Sequence, residues 1–94
     1  MTKSRRALLV RVTGRVQGVS FRYWTMKQAE ALGLAGWVRN EPDGSVRALL
    51  VGPQGKVSEM VDRLWKGPPA ARVTGVVAEQ ADGADVPAGF DIVS

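Results

Sequence analysis

Two stretches of this chain repeat apolar residues at helical spacing, and each carries a single apolar face. Val57, Met60, Val61, Leu64 and Trp65 follow i, i+3, i+4, i+7, i+8, the stripe of a helix that must lie against something else. Phe21, Thr25, Ala29 and Leu32 mark a second such face. Short runs of β-branched and aliphatic residues surround them, at residues 7–13, 36–40, 45–51, 72–80 and 90–93, and these predict strands. In the fourth, alternation runs through Val73, Gly75 and Val77. Helices with one apolar face and strands of this length satisfy each other by packing in two layers.

The punctuation agrees. Ser20 stands where an N-cap would open a helix over residues 21–32, and Gly33 where a C-cap would close it. Pro42-Asp43-Gly44 predicts a turn joining the second and third strands as a hairpin. Gly67 with Pro68-Pro69 ends the second helix. The order strand-helix-strand-strand-helix-strand, plus a short C-terminal strand, is the ferredoxin-like split βαβ arrangement: an α+β fold with two helices on one face of an antiparallel sheet. Right-handed crossovers place the third strand between the first and second; the fifth is open. A chain of 94 residues can build one core, so residues 1–94 are expected to form a single domain, with residues 1–5 a frayed terminus.

Composition removes several kinds of chemistry. There is no cysteine and no histidine, which excludes disulfides, thiolate nucleophiles, His-centred triads and the commonest zinc ligand. The nine carboxylates show no metal-ligand spacing, so neither a metal nor a cofactor is expected. The longest apolar runs are four residues, far short of a membrane span, and a soluble cytoplasmic monomer is the expectation. Residues 1–47 carry nine Lys/Arg against three Asp/Glu, whereas 48–94 carry four against six. A basic half points to an anionic partner, with Lys3, Arg5 and Arg6 as a solubilising alternative.

The segment GRVQGVSFR, residues 14–22, leads a strand through a glycine-bracketed loop into a helix N-terminus. Backbone N–H groups in such a loop converge on one anion, and the helix dipole adds partial positive charge. Arg22 in the first turn can supply a forked pair of charge-assisted bonds. Neither the Walker A pattern nor G-x-G-x-x-G is present. By spacing alone, an ordinary strand-to-helix turn remains the commoner reading.

Together with GWVRN at residues 36–40, Pro42-Asp43-Gly44, Gly67-Pro68-Pro69 and Arg72-Val73, that segment resembles the paired signatures of the acylphosphatase family, from about Val10 to Phe90. The resemblance implies a small ferredoxin-like enzyme that hydrolyses the carboxyl–phosphate bond of acyl phosphates. It implies that Arg15, Val16, Gln17, Gly18 and Val19 cradle the phosphate, that Arg22 binds its oxygens, and that Asn40 holds the attacking water. The implied partner is a small-molecule acyl phosphate, with inorganic phosphate or sulfate competing. No such chemistry needs histidine, because the leaving carboxylate departs without a general acid.

Two positions depart from the family pattern. Ser20 stands where family members often carry a bulky residue; with no base to activate it, a structural role is expected over a nucleophilic one, either as an N-cap or by slightly reshaping the loop. Glu41 follows Asn40 and is expected to point into solvent. Trp37 and Trp65 are expected in core or half-buried packing, Arg39 and Arg47 as solvated strand charges, and Tyr23 and Trp24 beside the anion loop as a wall for the acyl group. The rival readings are an idle regulatory relative and an RNA-binding module. The first and third strands lack the aromatic platforms that RNA binding on such sheets uses, so no nucleic-acid partner is expected.

Overall fold

The computed structural model describes residues 4–93. Its elements are β1 (Arg5–Arg15), α1 (Phe21–Ala31), β2 (Ala35–Asn40), β3 (Val46–Pro53), α2 (Gln54–Lys66), β4 (Arg72–Gln80) and β5 (Phe90–Ile92). The sheet order is β4-β1-β3-β2-β5. β3 runs antiparallel to both β1 and β2, with Val46 facing Val12 on one side and Asn40 on the other. β1 and β2 therefore point the same way, and their C-terminal ends lie at one end of the sheet. β5 pairs parallel with β2, so the sheet is mixed rather than wholly antiparallel, and the fifth strand lies at the edge next to β2.

Leu8, Val10 and Val12 alternate toward the helices and meet Leu50, Ala48 and Val46 of β3. Above them pack Phe21, Ala29 and Leu32 from the first helical region and Val57, Met60 and Leu64 from α2. The helices are linked where the Arg63 guanidinium donates to Gln28 Oε1 at 2.7 Å. Gly36 shows how closely β2 and β3 approach. Its φ is +141°, and a Cβ there would stand 1.8 Å from the Leu49 carbonyl oxygen. No helix among the described residues is long and apolar enough to cross a membrane.

Three expectations are corrected. Arg5, placed in a frayed terminus, is a strand residue facing Pro53; residues 1–3 lie outside the described range. β1 continues through Gly14 and Arg15, because these residues pair with Val73 and Arg72 on β4. Thr13 faces Gly75 while Gly14 faces Val73, which leaves Thr74 as the extra residue of a bulge. The bulge shifts the alternation: Val73 and Val76 pack on the core, and Val77 is 68% exposed. Trp65, expected in core or half-buried packing, lies at the half-buried end of that range, 50% exposed.

The buried face of α1 includes Thr25, whose hydroxyl oxygen is enclosed without a hydrogen-bond partner. Replacing a buried, unpaired hydroxyl by a methyl removes a desolvation cost at nearly constant shape. Thr25→Val is expected to raise unfolding stability by about 1 kcal/mol, read as a higher urea midpoint at unchanged m-value. A lowered midpoint would show that the hydroxyl makes a stabilising interaction.

Candidate functional site

The C-terminal end of β1 feeds a tight loop whose backbone alternates in hand. Gly18 has φ +75° and Ser20 φ +61°, while the non-glycine residues on either side have negative φ. Alternation of this kind turns successive N–H groups toward one concave side. Gly18 meets the requirement without strain, whereas Ser20 adopts a conformation unusual for a residue with a side chain. Ser20 occupies the N-cap position but makes no side-chain cap bond. Of the two roles expected for Ser20, capping is thus corrected: a capping residue needs extended φ and ψ to reach the next N–H groups, and Ser20 is left-handed. The first helical bond runs from Trp24 N–H to Ser20 O at 3.0 Å. Among the described residues, no backbone N–H from Gln17 to Tyr23 donates to a backbone carbonyl. The first turn of α1 holds no acidic residue, so the positive end of its dipole is not offset.

Beside this loop lies an open cleft of about 370 Å³. Val16, Gln17, Gly18 and Ser20 form one wall, Phe21, Arg22 and Tyr23 of α1 a second, and Asn40 with Ile92 a third. Arg22 is half-buried and makes no ion pair among the described residues. Among the described residues, no carboxylate lines the cleft. Asn40 is the last residue of β2 and shares the helix-facing side with Val38, two residues earlier. Its Oδ1 is buried without a hydrogen-bond partner, at a cost of order 1–3 kcal/mol for a group left in this state. A cationic fork, a ring of free N–H donors and one buried acceptor therefore border the same space. That set can hold a tetrahedral anion and a water molecule.

Of the residues singled out by sequence, Val16, Gln17, Gly18, Arg22 and Asn40 border the cleft. Arg15 is exposed at the strand end facing Arg72, and Val19 packs against the core; neither side chain lines the space. Tyr23 does, at 58% exposure. Trp24 does not line the space but packs against the core, its ring centroid 5.5 Å from that of Phe21. Ile92 was not anticipated, because only the parallel pairing of β5 with β2 carries it there. Glu41 points away from the cleft, accepting from Arg39 Nε at 2.6 Å, and Arg39 lies 4.8 Å over the Trp37 ring. Among the described residues, no group of three His, Cys, Asp or Glu could hold a metal ion.

The acylphosphatase family model matches residues 8–92. An acylphosphatase of Rhizobium meliloti strain 1021 is 65% identical over 92 residues, covering 98% of this chain and 97% of its own. Among solved structures, an acylphosphatase from Coxiella burnetii has a TM-score of 0.91 at 36% identity, covering 99% of this chain and 100% of that one. The acylphosphatase from Bacillus subtilis has a TM-score of 0.90 at 34% identity, covering 97% and 100%.

The turn that follows Asn40 is held by its own acid. Asp43 Oδ1 accepts from the buried Ser45 hydroxyl at 2.6 Å and from Ser45 N–H at 2.9 Å, and its other oxygen pairs with Arg11. The Ser45 side-chain and backbone donors, with Arg11 adding a smaller effect, hold the Asp43 carboxyl below the ordinary value of 3.8. A lowered folded-state value means that the ionised form stabilises the fold. The stability advantage of the wild type over Asp43→Asn is expected to be full above the ordinary value and to be lost as pH falls through the depressed one. Urea unfolding of both proteins from pH 7 to pH 2 measures it; an advantage that grows on acidification would reverse the assignment.

Proposed function

From a chain that belongs to the acylphosphatase family and hydrolyses the carboxyl–phosphate bond of acyl phosphates, we propose a site in which the cleft between the 16–20 loop and Asn40 performs that reaction. The observation that carries this reading is the buried, unpartnered Asn40 Oδ1 in a cleft also bordered by the unpaired Arg22 and the loop. The N–H groups of the loop and the start of α1 donate to the phosphoryl oxygens, and the half-charge of the helix dipole adds to them. The backbones of Arg15 and Val19 belong to this cradle even though their side chains do not. Arg22 grips two phosphoryl oxygens through its fork.

Asn40 is the water-positioning group. Its amide carbonyl accepts a hydrogen from the nucleophile and points an oxygen lone pair at phosphorus, as a glutamine does in GTPases. The O–P bond to water forms as the P–O bond to the acyl group breaks, releasing a carboxylate whose conjugate acid has a pKa of about 4. Such a leaving group needs no proton. Among the described residues the lining offers no carboxylate, and the chain has no histidine or cysteine to serve as a general base. The water's proton therefore passes to a phosphoryl oxygen, and the products are carboxylate and inorganic phosphate. The transition state spreads charge over the equatorial oxygens, so fixed donors and a cation supply the stabilisation. Inorganic phosphate and sulfate compete for the same donors.

Arg22 touches the phosphoryl group before and during reaction. Arg22→Ala is expected to raise KM and the inhibition constant for phosphate and to lower kcat, and Arg22→Lys to restore little, since a point charge lacks the fork. Steady-state kinetics on an aromatic acyl phosphate read all three; normal phosphate inhibition in Arg22→Ala would refute the cradle.

Asn40 touches water only. Asn40→Ala is expected to leave phosphate inhibition unchanged while kcat falls roughly 10²–10³-fold, the loss seen on removing one preorganised hydrogen bond at a reacting oxygen. The same assay on folded protein decides it, and an unchanged kcat would refute the water-positioning role.

A further inference from the structure

The side chain of Gln17 makes contacts that binding an anion does not require. Its Nε2 donates to the carbonyl oxygens of Glu41 and Ser45, both at 2.8 Å. Two carbonyl acceptors fix the amide's orientation, because only its NH₂ end donates. With both hydrogens committed, the remaining Oε1 is an acceptor and repels a phosphoryl oxygen, so the side chain is no phosphate ligand. The two carbonyls are also those that close the 41–45 turn: Glu41 N–H donates to Ser45 O at 2.9 Å and Gly44 N–H to Glu41 O at 3.1 Å. Asn40 is the residue immediately before that turn.

We propose that Gln17 is a positioning residue, its amide latching the phosphate loop to the turn that aims Asn40 and so setting the distance between phosphorus and the attacking water. The proposal rests on the roles given above to the loop and to Asn40. Two features support it. Among the described residues, no other hydrogen bond joins the 16–20 loop to the 41–45 turn. Arg11 reaches the same turn through Asp43, but from mid-strand, on the sheet face opposite Val10 and Val12. The loop and Asn40 also stand on strands separated by β3. Their spacing would otherwise depend on backbone alone, and attack at phosphorus tolerates little error: a misplacement of about 1 Å costs on the order of a hundredfold.

The test compares Gln17→Met, which keeps length without a donor, with Gln17→Glu. Gln17→Met is expected to lower kcat about tenfold to a hundredfold while the phosphate inhibition constant stays at the wild-type value. In Gln17→Glu a carboxylate faces two carbonyls, so the loss at neutral pH is larger. Its kcat relative to wild type should recover on acidification, as the protonated carboxyl regains a donor. In an Asn40→Ala background, Gln17→Met should cost little more, because the two act as one unit. An unchanged kcat in either folded variant would overturn the latch. So would phosphate affinity falling in step with kcat, or a full additive loss on top of Asn40→Ala. A wild-type kcat in Asn40→Ala alone would instead overturn the role of Asn40 on which the latch rests.

Discussion

Strand β3 hydrogen-bonds antiparallel to β1 on one side and to β2 on the other, and the cleft depends on that placement. Because β3 separates two strands that run the same way, the loop after β1 and the last residue of β2 emerge at one end of the sheet. A hairpin could not do this for consecutive strands, since it would reverse one of them. Helix α1 makes the crossover possible and brings its own N-terminus, with unpaired N–H groups, to the same end. Topology thus assembles donors, cation and acceptor from residues 16–22 and 40, far apart in sequence.

The two sides of the sheet divide the electrostatics. Arg11, Arg47 and Arg39 face one another across β1, β3 and β2 in a single row, an arrangement in which like charges repel. The turn answers with Asp43 on Arg11 and Glu41 on Arg39, and the Trp37 ring lies under Arg39. Those contacts turn the turn's carboxylates away from the cleft. On the helix side Arg22 keeps its charge unpaired among the described residues, with no nearby acid to neutralise it or to repel a bound phosphate. The same segment therefore removes negative charge from the site and closes the strand end that carries Asn40.

Local patterning made much of this legible. Helical spacing placed Phe21, Ala29, Val57, Met60 and Leu64 on the core, and glycine and proline located the breaks. Arg22 and Asn40 stood out through motif resemblance, and the fold brings them to one cleft. What misled was phase and neighbourhood. The alternation read through Val77 fails because a bulge at Thr74 shifts it, and a bulge is set by how β4 meets β1 rather than by β4 itself. Trp65 continues the helical stripe of α2 yet stays half exposed. Ser20 has the chemistry of a cap but the conformation of a loop that turns its N–H groups together.

By itself, the sequence determined the order of elements, the apolar faces and the residue types that carry charge and hydrogen bonds, because those depend on neighbours a few positions away. It also ruled out histidine and thiol chemistry by their absence. Only the tertiary structure decided that Ile92 reaches the cleft, that Gln17 donates to Glu41 and Ser45 rather than to an anion, and that Asn40 Oδ1 is enclosed without a partner. Each of these is a contact between segments far apart in the chain, and its geometry exists only once the strands have chosen their neighbours and register.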